Sequence, residues 1–165
     1  MSRFTRKFVR KAWIACLVFL FAVTGGLYLL RRESYFLNKN VRLVSMRIFE
    51  YQELSLHRRL KYKIEFLEER YRIYILAPST EETWKGVKEF RYEDAVETDL
   101  PGFALEIQKG RIISYELSGN RSSIRRQVVL GFFAPKNPQK KSGILFHMDG
   151  TWRALKRYNG AAQGS

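Results

Sequence analysis

Residues 12–30 read AWIACLVFLFAVTGGLYLL, nineteen positions without a charge between Lys11 and Arg31, and this run constrains everything that follows it. As a helix rising about 1.5 Å per residue it spans roughly 28 Å, close to the ~30 Å hydrocarbon core of a bilayer. A membrane-spanning helix is therefore expected here, with Trp13, Leu17, Phe19, Phe21 and Tyr28 as anchor residues. Trp13 and Tyr28 lie near its ends, where amphipathic rings favour the headgroup level. A cleaved signal peptide is the weaker reading, because its apolar core is usually only ~7 to 15 residues and a small-x-small cleavage site is missing near the end of this run. Too little apolar chain precedes Cys16 for a lipoprotein signal. Cys16 is the one cysteine, so an intrachain disulfide is impossible and cysteine usage does not report the redox compartment.

Arg3, Arg6, Lys7, Arg10 and Lys11 precede the run without an acidic partner. Such a cluster resists translocation, so the N-terminus is expected on the cytoplasmic side and residues 31–165 outside it. With a single pass, residues 31–165 then face the periplasm or the exterior. Arg31, Arg32, Lys39, Arg42 and Arg47 on the far flank oppose this orientation in part.

The net charge of +14 invites a nucleic-acid reading, but it divides into +5 over residues 1–11, +5 over 31–75 and +4 over 76–165. No stripe or arm concentrates it. Tyr62-Lys63 and Tyr71-Arg72-Ile73-Tyr74 interleave rings with bases, as a base-stacking sheet would, yet the same letters spell an amphipathic strand. RNA-binding, helix-turn-helix and finger motifs are missing, so nucleic acid is not expected as a partner, whereas anionic lipid headgroups suit the juxtamembrane bases.

Beyond the anchor about 130 residues remain, enough for one small domain. Between Arg31 and about His57, Leu37, Val41, Val44, Ile48 and Tyr51 step by four and three onto one helical face, while Arg42, Arg47, Glu50 and Glu53 fall largely elsewhere. This face is expected to pack on the domain's own sheet; too few regular heptads exist for a coiled-coil seam. Proline is absent from Met1 to Ala77, so the helix can continue directly from the anchor, with Gly25-Gly26 as the expected kink.

At Leu60 the period changes to two. Leu60, Tyr62, Ile64 and Phe66 alternate with Lys61, Lys63 and Glu65, and after Glu68-Glu69-Arg70 a second strand places Tyr71, Ile73 and Ile75 on one face. Residues 77–83 read as a loop, and Trp84 to Tyr92 fits strand or helix. Leu100-Pro101-Gly102 breaks the chain. Phe103 to Ile107 and Arg111 to Leu117 read as strands around Lys109-Gly110, Ser118 to Arg126 as a polar separator, Val128 to Ala134 as an apolar strand and Pro135 to Gly143 as an exposed connection. A closing hairpin joins Ile144–Met148 to Thr151–Leu155 through Asp149-Gly150, a pair that predicts a type I′ turn. Residues 159–165 read as a flexible tail. The expected fold class is α+β, a long N-terminal helix packed on an antiparallel sheet over residues 59–158.

The half-membranous, half-amphipathic helix, the strands that follow it from Leu60 to Leu76, and the ending Ile144-Leu145-Phe146-His147-Met148-Asp149-Gly150-Thr151 together resemble the minor pseudopilins of type II secretion systems and the related minor type IV pilins. The ending is similar to the I-x-F-x-x-x-G hairpin that closes their sheet, on Ile144, Phe146 and Gly150. Arg3-Phe4-Thr5 resembles the family's leader junction, but Arg3 takes the glycine place, Arg6 and Lys7 follow, and Phe8 stands where the family has glutamate. The resemblance therefore implies a pilin-like protein that keeps its N-terminus and stays in the membrane as a priming or assembly factor, with pilin-like or secretion-machine proteins as partners. It also implies a bacterial inner membrane with a periplasmic domain. A bitopic scaffold of another envelope complex is the second reading.

An enzyme is not expected. The chain has no G-x-S-x-G elbow, phosphate-binding loop, G-x-G-x-x-G or H-E-x-x-H. His147 and Asp149 beside a turn, and His57 near a helix end, read as surface residues. Glu93, Asp94, Glu97 and Asp99 could offer oxygens to calcium, but D-x-D-x-D-G spacing is missing and Lys88 and Arg91 are close by. No cofactor, metal or small-molecule substrate is expected.

Overall fold

The computed structural model describes residues 3–76, 83–93, 95–117, 120–123 and 127–158. The tail at 159–165, most of the loop at 77–83, Asp94 of the acidic stretch, and the side chains of the basic residues before the anchor lie outside the described residues. One helix, α1 (Arg3–Arg58), precedes ten strands. The chain divides into two compact units, Met1–Tyr35 and Phe36–Ser165, so the amphipathic half of α1 belongs to the same unit as the strands.

The strands are β1 (Tyr62–Phe66), β2 (Arg70–Leu76), β3 (Trp84–Arg91), β4 (Glu97–Thr98), β5 (Phe103–Gln108), β6 (Arg111–Leu117), β7 (Asn120–Ser123), β8 (Val128–Ala134), β9 (Asn137–Phe146) and β10 (Trp152–Tyr158). They form two sheets, of order β3-β2-β1-β5-β6-β7 and β10-β9-β8-β4, and every pairing is antiparallel. The α+β class holds, with the sheet divided in two. The alternation in β1 sets the register: Ile64 lies opposite both Ile73 of β2 and Leu105 of β5, and all three are fully buried. A slip by one residue would turn Lys63 and Glu65 inward.

The core lies between α1 and the two sheets. Leu37, Val41, Val44, Ile48 and Tyr51 are each at most 4% exposed and join one cluster with residues of both sheets. Aromatic rings carry this cluster from sheet to sheet. Phe66 stacks on Phe103 at 6.0 Å, and Phe103 meets Phe146 of β9 at 5.8 Å; at the other end Tyr92 meets Phe132 of β8 edge-on at 5.3 Å.

Polar groups of α1 pin neighbouring turns. Asn40 Nδ2 donates to Glu93 O at 3.0 Å and Asn40 Oδ1 accepts from Glu93 N at 2.8 Å, so one side chain satisfies both backbone groups of a loop residue. Gln52 Nε2 donates to Gly110 O, Ser55 Oγ accepts from Gly110 N, and Trp152 Nε1 of β10 donates to Gln52 Oε1.

Several sequence expectations change. Pro135 to Gly143 is not an exposed connection: only Pro135 and Lys136 turn, and β9 begins at Asn137. Its first half is half-buried or exposed and carries lysines without a period, and its pairing with β8 shifts register between Phe133 and Ala134, next to the Pro135-Lys136 turn. The polar separator 118–126 contains β7, a short strand that extends the sheet beyond β6. Trp84 to Tyr92 resolves as an edge strand, β3. The type I′ turn is misplaced too. At the closing hairpin only Gly150 has positive φ (80°), with Gly150 N donating to His147 O and His147 N to Thr151 O, a type I turn followed by a glycine bulge. The two-residue turn with positive φ at both centres is instead Lys109-Gly110 (50° and 75°), which α1 holds through Gln52 and Ser55.

Candidate functional site

The residues expected as an anchor are exposed on the helix. Trp13, Leu17, Phe19, Phe21 and Tyr28 are all exposed, Phe21 most at 76%, and none joins the core cluster. Helix α1 is long and apolar enough here to cross a membrane. In hydrocarbon every backbone and hydroxyl group must be satisfied within the segment. Thr24 meets this by donating its Oγ1 back to Leu20 O at 2.7 Å. Gly25 and Gly26 are both helical, and nothing lies within 4 Å of the position a Cβ would take on either.

The second half of α1 has two apolar faces. One is the buried set from Leu37 to Tyr51. The other was not apparent from the four-and-three spacing: Leu43, Met46, Phe49 and Leu56 point away from the core, and Phe49 is 58% exposed. At about 100° per residue, Met46 lies about 160° around the helix from both Val44 and Ile48, and Phe49 about 140° from Val44 and about 100° from Ile48. The three-residue step from Met46 to Phe49 and the seven-residue step to Leu56 carry the signal, which the interspersed Arg42, Arg47 and Glu53 conceal. Together the four residues leave apolar side chains exposed on the outer side of the helix, with Leu56 bordering the Lys109-Gly110 turn.

Charges at the flank of the helix are locally paired. Arg47 pairs with Glu50 and rests over the Phe90 ring at 4.6 Å; the Glu50 carboxylate raises the Arg47 pKa. Lys39 pairs with Glu93. Burial pushes the Tyr71 hydroxyl up to about 12, and Tyr92, deeper still, is raised further without a hydrogen-bond partner for its hydroxyl.

The closing hairpin is a structural element. Ile144 and Phe146 are fully buried, while Asp149 Oδ1 accepts from Thr151 N and Thr151 Oγ1, bonds that lower the Asp149 pKa. Gly150 closes against β6: a Cβ there would lie 2.7 Å from Ile112 O. His147 does not bond Asp149; its Nδ1 lies 3.4 Å from Gln127 Nε2, and its carbonyl accepts from Tyr115 OH, whose pKa burial raises to about 12. His57 pairs with Glu53 on the helix surface.

In the acidic stretch, Asp99 accepts from Gly131 N at 2.7 Å and Lys141 Nζ at 3.2 Å, binding the loop to β8 and β9. Among the described residues no group of three His, Cys, Asp or Glu side chains could hold a metal ion. Glu93 and Asp99 turn to separate cationic partners.

Neither protein-family models nor curated proteins provide a match to this chain. Among solved structures it is similar to the minor pseudopilin EpsH from the type 2 secretion system of Vibrio cholerae. The identity is 11%, the match covers 72% of this chain and 95% of that one, and the TM-score is 0.53. At that identity the likeness bears on fold alone, and the fold is pilin-like.

Proposed function

We propose that this chain is a membrane-anchored, pilin-like subunit or assembly factor of a type II secretion or type IV pilus machine. On this reading it crosses a bacterial inner membrane once, with its N-terminus cytoplasmic and its sheets periplasmic. The observation that carries it is the combination of a fully exposed apolar helix with a pilin-like fold in one chain. It acts by contact rather than catalysis, through the exposed side of α1 marked by Met46, Phe49 and Leu56. The arginine at the leader-glycine place favours an assembly role in the membrane over a processed fibre subunit.

A photo-crosslinking amino acid at Phe49 tests the partner. Expected is a crosslink to another pilin-like or secretion-machine protein in membranes; a crosslink to division or transport proteins instead would replace this reading with that of a scaffold. A reporter active only outside the cytoplasm, fused after Ser165, tests topology. Activity is expected, and a fusion that works only inside would sink both orientation and proposal.

A further inference from the structure

Beside the edge strand β10 lies a groove of about 330 Å³, walled on one side by Asn38, Val41, Arg42 and Ser45 of α1 and on the other by Trp152, Ala154, Leu155 and Lys156. Ala154, Leu155 and Lys156 are consecutive, and alternate strand residues point to opposite faces. A groove lined by all three runs along the edge of the strand rather than over one face of the sheet. Among the described residues strand β10 pairs only with β9, and Lys156 O accepts from Ser142 Oγ of that strand. Among the described residues no backbone bond joins it to α1. Its outer row of N–H and C=O groups therefore faces the groove, as on any open sheet edge.

Two further observations indicate what fills the groove. Ser45 is only 9% exposed, yet its Oγ has no hydrogen-bond partner, although a helical serine ordinarily bonds the carbonyl one turn back. The lining holds no acidic residue. Arg42 and Lys156 at its rim and Arg153 beside it are exposed, and none forms a salt bridge with another described residue. An open edge, an apolar trough with one unsatisfied hydroxyl, and three uncompensated cations complement an extended acidic peptide with small apolar side chains.

We propose that the groove between α1 and β10 receives an extended acidic segment of a partner protein, which pairs with the free edge of β10 as an added strand. Alternate side chains of the segment enter the trough beside Val41 and Ser45, and its carboxylates meet Arg42, Arg153 and Lys156. Main-chain pairing supplies affinity, and the trough and charges supply selection. The inference stands on the groove alone and does not depend on the machine proposed above.

The test uses the full chain in zwitterionic micelles and a fluorescent library of heptapeptides that alternate Asp or Glu with Val, Ala or Thr. Library members should bind by anisotropy and slow amide exchange across residues 152–156. Affinity should fall about tenfold in an Arg42→Glu/Lys156→Glu variant, as expected for removing two charge contacts, and should be lost when a central proline breaks the peptide's pairing. Several results would overturn the proposal. One is the absence of any binding library member, and another is equal binding by the proline peptide. A third is protection of 152–156 that rises with protein concentration alone, which would assign the edge to a second copy. A fourth is charge reversal that weakens binding to vesicles containing phosphatidylglycerol but not to peptide, which would assign the cations to a lipid surface.

Discussion

The two halves of α1 are both rich in large apolar residues, yet these end in opposite surroundings. From Trp13 to Tyr28 they point in every direction around the helix and stay exposed, whereas from Leu37 to Tyr51 one arc of five is buried among strands. The difference teaches that periodicity, more than hydrophobicity, identifies the solvent a helix is made for. A helix apolar all round suits a surrounding that is apolar on every side, such as lipid; one with an apolar arc suits a protein surface.

The sharpest way to break this contrast is to remove equal side chains from each region. Phe146→Ala, opposite the buried arc, empties a fully buried site and should cost about 3–5 kcal/mol in denaturant unfolding of the micelle-bound chain. That is a large fraction of a small domain's stability. Phe21→Ala in the apolar run should leave the same unfolding curve unchanged, and Lys140→Ala, at a half-buried position of β9, should move it far less than Phe146→Ala. Equal losses at Phe146 and Phe21 would erase the distinction.

A charge reverses the sensitivity. Phe21→Arg, at the midpoint of the apolar run, should leave the folded strands intact but cost about 2.5–3.5 kcal/mol of insertion, read as partial release of the protein on carbonate extraction. Full release of the unaltered protein by the same treatment would mean that this half is not a span.

Alkaline titration sharpens the packed side. Tyr71 and Tyr115 are held by burial at about 12, against an ordinary value near 10. Their contribution to stability is complete below pH ~10. Between about 10 and 12 the unfolded chain gives up protons that the folded chain keeps, so stability declines with rising pH and the loss is complete above ~12. Thermal midpoints should be flat from pH 7 to 9 and then drop, and Tyr71→Phe with Tyr115→Phe should flatten the drop.

The smallest effect has the opposite sign. Tyr92 buries a hydroxyl without a partner, so Tyr92→Phe should stabilise the domain by about 1 kcal/mol in chemical denaturation. A loss instead would reveal a partner for that hydroxyl.

The sequence made the buried arc of α1, the alternation of β1 and β2, and the apolar strand from Val128 legible, because burial on one face imposes a period on the letters. It concealed β7, a four-residue strand of polar letters, and the first half of β9, where positions that are half-buried or exposed carry asparagine, proline, glutamine and lysine with no period. The hairpins show a second limit. Asp149-Gly150 carries the local signal of a type I′ turn but does not form one, and Lys109-Gly110 forms one with support from Gln52 and Ser55 more than fifty residues away. At the candidate site the apolar run of residues 12–30 is plain from composition, while the exposure of Met46, Phe49 and Leu56 is hidden among charged neighbours. The groove beside β10 could not be read at all, since it depends on which strand lies at the edge.

The ring contacts and the helix side chains also carry mechanical meaning. Among the described residues no strand pairing joins the two sheets, so their connection rests on contacts such as Phe103 to Phe146, on single bonds such as Thr98 N to Glu68 O, and on α1, which bonds the first sheet's turn at Gly110 and the second sheet's Trp152 through the single side chain of Gln52. Tension drawn along the packed half of α1 would load the Asn40, Gln52 and Ser55 bonds side by side and slide the buried arc across both sheets together. Such an arrangement yields in shear rather than by peeling one bond at a time, so a pull on this helix is borne by the whole domain until it gives way as a unit.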